Sequence, residues 1–323
     1  MARKVGVIGT FVWDEIHGRD PLARPVEEWG GITYALGALD ASLSSDWQIV
    51  PILKVGYDLA PKAREFMATL RKVAPGTGPI EVPHPTNKVT LRYETTERRC
   101  EYLRGGIPGW GWRGLQPLMG DLDALYINMI SGFEIDLETA QLVRQNFRGP
   151  IYCDLHSLLL AVQPDGARTL QPLPNAEEWF RCFDIIQVNE DEMSMLASDG
   201  MDLAARAFRA GVQCLVVTMG SRGAVYFAAP GFESLADMHR HPLGPRTGTI
   251  RTALIPAKPT RDVSMGDPTG CGDVWGATYF SRLLAGDNLG EAMEAAMVAS
   301  AKNVDHRGAT GLAGFLRGEL SFR

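Results

Sequence analysis

Short apolar runs along the chain alternate with longer stretches in which apolar positions recur every three or four residues. Val5–Ile8, Ile49–Leu53, Ala124–Met129, Ile151–Asp154, Ile185–Val188 and Cys214–Thr218 read as short buried strands. Between most of them lie amphipathic patterns that predict helices over Thr33–Ser42, Ala60–Val73, Leu137–Asn146, Ala204–Ala210, Gly272–Ala285 and Glu291–Val304. Strands that alternate with helices predict an α/β protein with a mostly parallel central sheet covered by helices.

One segment breaks the rhythm. Val89, Leu91 and Tyr93 alternate with Thr90, Arg92 and Glu94, and a second extended piece follows at Cys100–Leu103, which predicts a half-buried antiparallel ribbon. Such a ribbon is a small lid over a ligand site, a dimer surface or a plain edge hairpin. The stretch Gly105–Gly114 reads as an ordered loop, since Trp110 and Trp112 need packing partners. No internal repeat or low-complexity tract is present, and no covalent domain boundary is visible.

Composition narrows the class. The 323 residues are enough to bury a substantial core, and the five cysteines, without a Cys-x-x-Cys pair, fit neither a disulfide framework nor a zinc site. A reducing cytoplasm suits them. A net charge of −6 without a long basic run argues against nucleic acid as a partner and for a small molecule. No apolar stretch approaches the roughly 20 residues that span a bilayer, and Asp14 and Glu15 interrupt the first apolar run too early for a signal peptide.

The chemistry concentrates in Gly266–Ala277. Gly270, Cys271 and Gly272 are small or flexible enough to turn successive N–H groups toward one point at the start of a predicted helix, an arrangement that binds anions. Asp273 then falls in the first turn, where the helix dipole favours its ionised form and leaves it able to take a proton from a hydroxyl. The alternative is an ordinary Gly-rich turn in which Asp273 only caps a helix. Rival nucleotide folds fail on spacing: there is no G-x-G-x-x-G after the first strand, no P-loop and no protein-kinase signature.

Together with Gly9–Asp14, the pair Gly30-Gly31, Asn189–Glu192 and Val217–Gly223, the Asp267–Asp273 motif makes the chain resemble, nearly end to end, the ribokinase-like carbohydrate kinases of the PfkB family. The resemblance implies a ribokinase-like three-layer α/β sandwich, one kinase domain over residues 1–323, with a β-lid insertion around 86–105 and a homodimer formed through that lid. It implies a sugar or nucleoside substrate, ATP and Mg2+, and admits K+.

Residue by residue, the resemblance gives Asp14, Gly30 and Gly31 a substrate-holding role; a carboxylate past a strand end can accept from two hydroxyls. Asn189 and Glu192, three apart, are candidates to orient magnesium and its waters, although their acidic surroundings alone read as a surface turn. Thr218, Gly220 and Gly223 fall where the family places nucleotide phosphates and ribose, in a turn that is also a hairpin. Asn303 matches the region lining the adenine pocket, and Asp267 is a candidate for a monovalent cation.

Some positions depart from the family pattern. Gly31-Ile-Thr-Tyr-Ala35 lacks the asparagine that often follows the paired glycines, and Asp154-Leu-His156 stands where Asp-Pro-Asn is common, with His156 either a substrate ligand or a satisfied loop histidine. Cys271 replaces the commoner alanine, and a thiol at a helix N-terminus is expected to be acidic and reactive. Phe11, Trp13, Trp29 and Tyr34 lie near Asp14 in sequence and suit either stacking on a ligand or core packing. The expected activity is ATP-dependent phosphorylation of a hydroxyl on a small sugar or sugar-like molecule, with Asp273 as base. A nucleoside kinase and a non-catalytic sugar or nucleotide sensor are the alternatives.

Overall fold

In chain order the computed structural model places β1 (Arg3–His17), β2 (Val26–Gly31), α1 (Ile32–Ser42), β3 (Trp47–Gly56), α2 (Ala60–Ala68), β4 (Ile80–Val82), β5 (Asn87–Tyr93) and β6 (Arg99–Arg104). Then come α3 (Trp112–Leu115), β7 (Ala124–Asn128), α4 (Leu137–Asn146), β8 (Ile151–Asp154), β9 (Leu160–Val162), β10 (Arg168–Leu170), α5 (Ala176–Phe180) and β11 (Ile185–Asn189). The last third holds α6 (Glu190–Leu196), α7 (Gly200–Arg209), β12 (Cys214–Thr218), β13 (Ala224–Ala228), β14 (Arg251–Ile255), α8 (Cys271–Ala285), α9 (Leu289–Val304) and α10 (Leu312–Leu316). The structure describes residues 2–17, 24–93, 99–238, 248–260 and 267–320; Gly266 and residues 94–98 of the expected ribbon lie outside the described residues.

The main sheet runs β14-β13-β12-β11-β8-β7-β1-β3-β4. It is parallel from β4 to β12 and antiparallel at β13 and β14. Its strands are apolar on both sides because both sides are covered. Tyr126, Tyr152 and Val216 face a layer containing α1, α2, α8, α9 and α10, whereas their neighbours Leu125, Cys153 and Leu215 face one built from α4, α5 and α7. Each fully buried aliphatic side chain contributes roughly 1.5–3 kcal/mol.

β1 sits where the strand order reverses, with β3 on one side and β7 on the other. Ligands of open α/β sheets bind beyond the strand ends at such a point. The expected loop after a short first strand is instead continuous strand: Arg3–Thr10 pair with β3, and Phe11–Ile16 then pair with β2 and β5. The smaller sheet is therefore β2-β1-β5-β6, broader than the two-stranded ribbon expected from the sequence. Phe11, Trp13 and Trp29 close its underside in edge-to-face contacts, with ring centroids 5.2 Å and 5.1 Å apart. Three of the four aromatic residues near Asp14 thus pack on one another, and Tyr34 alone reaches the site.

Candidate active site

Helix α8 begins where the sequence places it, and its N-cap, Gly270, takes φ 74°, the left-handed conformation. A side chain there would also collide with Tyr34, whose ring lies 2.3 Å from the position of a Cβ. No side chain caps this helix end, so its positive pole faces outward with the amides of the first turn. Of the three expected cradle amides, that of Cys271 is turned onto the carbonyl of Pro268, at 3.1 Å.

The loop ahead of α8 is fastened to α9. Asp267 accepts from the amide of Thr269 at 2.9 Å and its own N–H donates to Val304 O at 3.1 Å. Asn303, fully buried, donates from Nδ2 to Thr269 O at 2.9 Å and toward Cys271 Sγ at 3.4 Å. Asn303 therefore shapes the cradle from behind. The thiol expectation fails for a physical reason: burial pushes the Cys271 thiol up, and Asp267 and Asp273 add to the shift against the help of hydrogen bonds with Asn303 and Ser300.

Asp273 stands in the first turn of α8 and accepts from Asn128 Nδ2 at 2.6 Å, while Tyr126, two residues earlier on β7, donates to the Asp273 carbonyl at 3.5 Å. Gln187 ties the same turn to the sheet, donating to Gly272 O at 3.2 Å and to Asp154 Oδ2 at 3.0 Å while accepting from Tyr152. Burial, the Glu192 charge and the Asp273 charge hold the Asp154 carboxyl well above its usual range, against the pull of His156. His156 Nδ1 lies 2.6 Å from Glu192 Oε1. Burial opposes its charged form, but Glu192 outweighs that effect and raises the imidazole to about 9.

Asn189 and Glu192 form a capping box at the start of α6: Asn189 Oδ1 accepts from the Glu192 amide, and Glu192 returns bonds to the Asn189 amide at 2.8 Å and to its Nδ2 at 2.6 Å. Glu192 is buried, so this is no surface acidic turn. With both oxygens held by His156 and Asn189, the pair does not fit direct ligation of magnesium. Among the described residues no group of three or more His, Cys, Asp or Glu side chains could hold a metal ion.

At the other end of the site, Asp14 is buried on β1 opposite Glu28 of β2. Gly30 is required beside it, because a Cβ there would lie 1.8 Å from Asp14 Oδ2. Thr33 fixes the pair of glycines by donating to Gly30 O at 2.8 Å. The Tyr34 phenol is pushed well up by burial and by the charges of Asp14, Glu28, Asp267 and Asp273. Tyr34 thus lies in the field of both Asp14 and Asp273. Burial and Asp267 raise the Glu28 carboxyl to about 7, with Arg307 acting in the opposite direction.

Thr218 ends β12, and Gly220 and Gly223 bracket a tight turn into the antiparallel β13. Arg222 of that turn pairs with Glu190 at the head of α6. Sequence reasoning missed Asn128 and Gln187. Asn128 ends the otherwise apolar β7 and Gln187 interrupts the apolar run of β11 ahead of Asn189, and a polar residue in a buried strand is the trace each leaves in the sequence.

Residues 159–313 match the model of the pfkB family carbohydrate kinases. Similar solved structures span nearly the whole chain. One is the Arabidopsis thaliana ribokinase complexed with ribose and ATP, 17% identical, covering 100% of both chains with a TM-score of 0.69. A second is the Burkholderia thailandensis nucleoside kinase in complex with inosine, 17% identical, covering 98% of this chain and 95% of the other, TM-score 0.69. A third is a pyrophosphate-dependent kinase in the ribokinase family complexed with a pyrophosphate analog and myo-inositol, 16% identical, covering 97% and 99%, TM-score 0.72. No curated protein sequence matches the chain significantly. The protein has the ribokinase fold. By the match over residues 159–313 its second half is similar to the PfkB carbohydrate kinases, a family of phosphotransferases.

Proposed function

We propose that the protein is an ATP-dependent phosphotransferase acting on a hydroxyl of a small sugar or sugar-like molecule. The observation that carries this is the placement of Asp273 in the uncapped first turn of α8, with its carboxylate held at 2.6 Å by Asn128. Asp14, with Gly30 and Gly31, holds the acceptor. As the acceptor oxygen bonds to the γ-phosphorus and the bond to ADP breaks, Asp273 takes the hydroxyl proton. The amides of Gly270 and Gly272 and the dipole of α8 stabilise charge on the phosphoryl group in flight, while the Cys271 amide donates to Pro268 O instead.

Thr218, Gly220 and Gly223 line the path of the donor phosphates and ribose, and Asn303 supports the loop between them and the base. Asn189 and Glu192 would hold magnesium through its waters, and the ion, bound with the donor, would neutralise part of the charge on the phosphates. Asp267 is the candidate for K+. The parallel with the nucleoside kinase that binds inosine keeps a nucleoside acceptor as the second choice.

The test is an ADP-release assay with Mg-ATP over pentoses, hexoses, polyols, sugar acids and nucleosides, on wild type and Asp273→Asn. A substrate whose turnover falls roughly 10²- to 10⁴-fold in the variant, with the fold intact, is the expected result. Wild-type turnover by Asp273→Asn would remove the residue from the chemistry, and tight ligand binding without any turnover would mark a sensor.

A further inference from the structure

Buried polar groups of folded proteins are hydrogen-bonded almost throughout, so exceptions are informative. Two of the exceptions in this protein flank the paired glycines Gly30 and Gly31. The Tyr34 hydroxyl has no partner although the residue is only 1% exposed, and Glu28 Oε1 is likewise buried without one. Both pack against glycines. The Tyr34 ring is seated on the α-carbon of Gly270, and the Glu28 carboxylate lies over Gly308, where a Cβ would come within 1.6 Å of Oε2. Leaving a buried hydroxyl or carboxylate oxygen unpaired is costly, and an arriving ligand that brings the complementary groups recovers that cost.

The complementary groups are hydroxyls. A hydroxyl can donate to Glu28 or Asp14 and accept from Tyr34 at once. A phosphate or carboxylate cannot donate, and it would add charge to a pocket whose phenol already lies in the field of Asp14, Glu28, Asp267 and Asp273. Among the described residues the opposing charge recorded at Glu28 is Arg307, which is exposed at the rim.

Resting on the phosphotransferase reading, we infer that Tyr34 and Glu28 are acceptor-specificity residues and that the acceptor is a polyol without phosphate or carboxylate groups. Tyr34 and Glu28 belong to α1 and β2, so acceptor choice is made by the segment on both sides of the paired glycines.

The experiment separates binding from turnover. A thermal-shift and calorimetric screen without nucleotide compares neutral polyols with their phosphorylated or carboxylated derivatives, for example ribose with ribose 5-phosphate and myo-inositol with its monophosphate. ADP release is then measured on the compounds that bind. The expected result is binding confined to the uncharged member of each pair, at least about tenfold over its anionic partner. Glu28→Gln and Tyr34→Phe, both isosteric, should each weaken that binding and raise KM about tenfold, with kcat changed by less than about threefold and melting temperatures retained.

Preference for an anionic member, binding of no polyol, or unchanged KM and affinity in both variants would overturn the inference. Selective polyol binding that is weakened in both variants, without ADP release from any acceptor, would support the acceptor assignment and sink the phosphotransferase reading instead.

Discussion

The start of α8 and the mouth of the lid sheet are both polar, both rest on glycine and both sit beyond the same strand ends, yet they are finished differently. Around α8 the side chains are bonded to one another: Asn128 to Asp273, Gln187 to Asp154 and Gly272, His156 to Glu192, Asn303 to Thr269. At the smaller sheet, Tyr34 and Glu28 keep buried oxygens unpaired; beside α8 the Oδ1 atoms of Asn128 and Asn303 are also unpaired, but each of those side chains is fixed by a bond from its Nδ2. A preorganised network suits a step that never changes, the transfer of a phosphoryl group. Unpaired groups suit the step in which the protein must recognise one molecule among many, because a ligand that fails to pair them binds poorly.

Several substitutions break or sharpen that contrast. The largest effect within the bonded half, after loss of Asp273 itself, is expected from Asn128→Ala. It removes the donor that favours the ionised carboxylate of the base, so kcat should fall roughly tenfold to a hundredfold, since hydrogen bonds to charged groups contribute about 1.5–3 kcal/mol. The acid limb of the rate–pH profile should also move to higher pH. A lower rate with an unmoved limb would make Asn128 a merely structural residue.

Next comes Gly270→Ala, which forces a side chain into the left-handed region and against Tyr34. A stability loss of about 1–3 kcal/mol by denaturant titration is expected, with a raised KM for the acceptor because Tyr34 must move. If KM is unaltered, Gly270 and the acceptor pocket are independent.

A smaller effect should appear on titration. His156 is raised to about 9 from 6.5, so the stability it contributes is complete below about pH 6.5 and is lost as pH rises through about 9. The carboxyl of Asp154, also raised, acts in the same direction. The melting temperature should therefore decline across that window, and His156→Gln should flatten the decline. A variant with the slope of wild type would show that the pairing with Glu192 carries no net stabilisation.

The smallest effect is expected at Cys271. Its thiol should alkylate more slowly than a free cysteine at pH 8, and ATP should protect it little, since burial already does; rapid modification at neutral pH would contradict the raised thiol.

The parallel sheet was legible because its strands are buried on both faces and stand out as uninterrupted apolar runs. The lid was half legible. β5 alternates clearly, but β2, Val-Glu-Glu-Trp-Gly-Gly, has little strand propensity of its own and is a strand because β1 pairs with it. The far half of β1 was hidden in the same way, since Asp14 and Glu15 read as a loop until their pairing with β2 and β5 is known. In the site, Asp273, Gly270 and Asp14 could be picked out by spacing. Asn128 and Gln187 could not, because a lone polar residue in a strand acquires meaning only from what faces it across the sheet. Tyr34 was visible only as an aromatic residue with two equal explanations, and burial beside four carboxylates separates them.

β1 is one unbroken strand whose first half lies in the main sheet and whose second half carries Asp14 into the lid. The two sheets accordingly share a mechanical axle at Thr10–Phe11. Any tilt of the smaller sheet about that axle changes the distance between the Asp14 carboxylate and the Asp273 carboxylate on α8, so the two roles proposed for them are coupled through one strand.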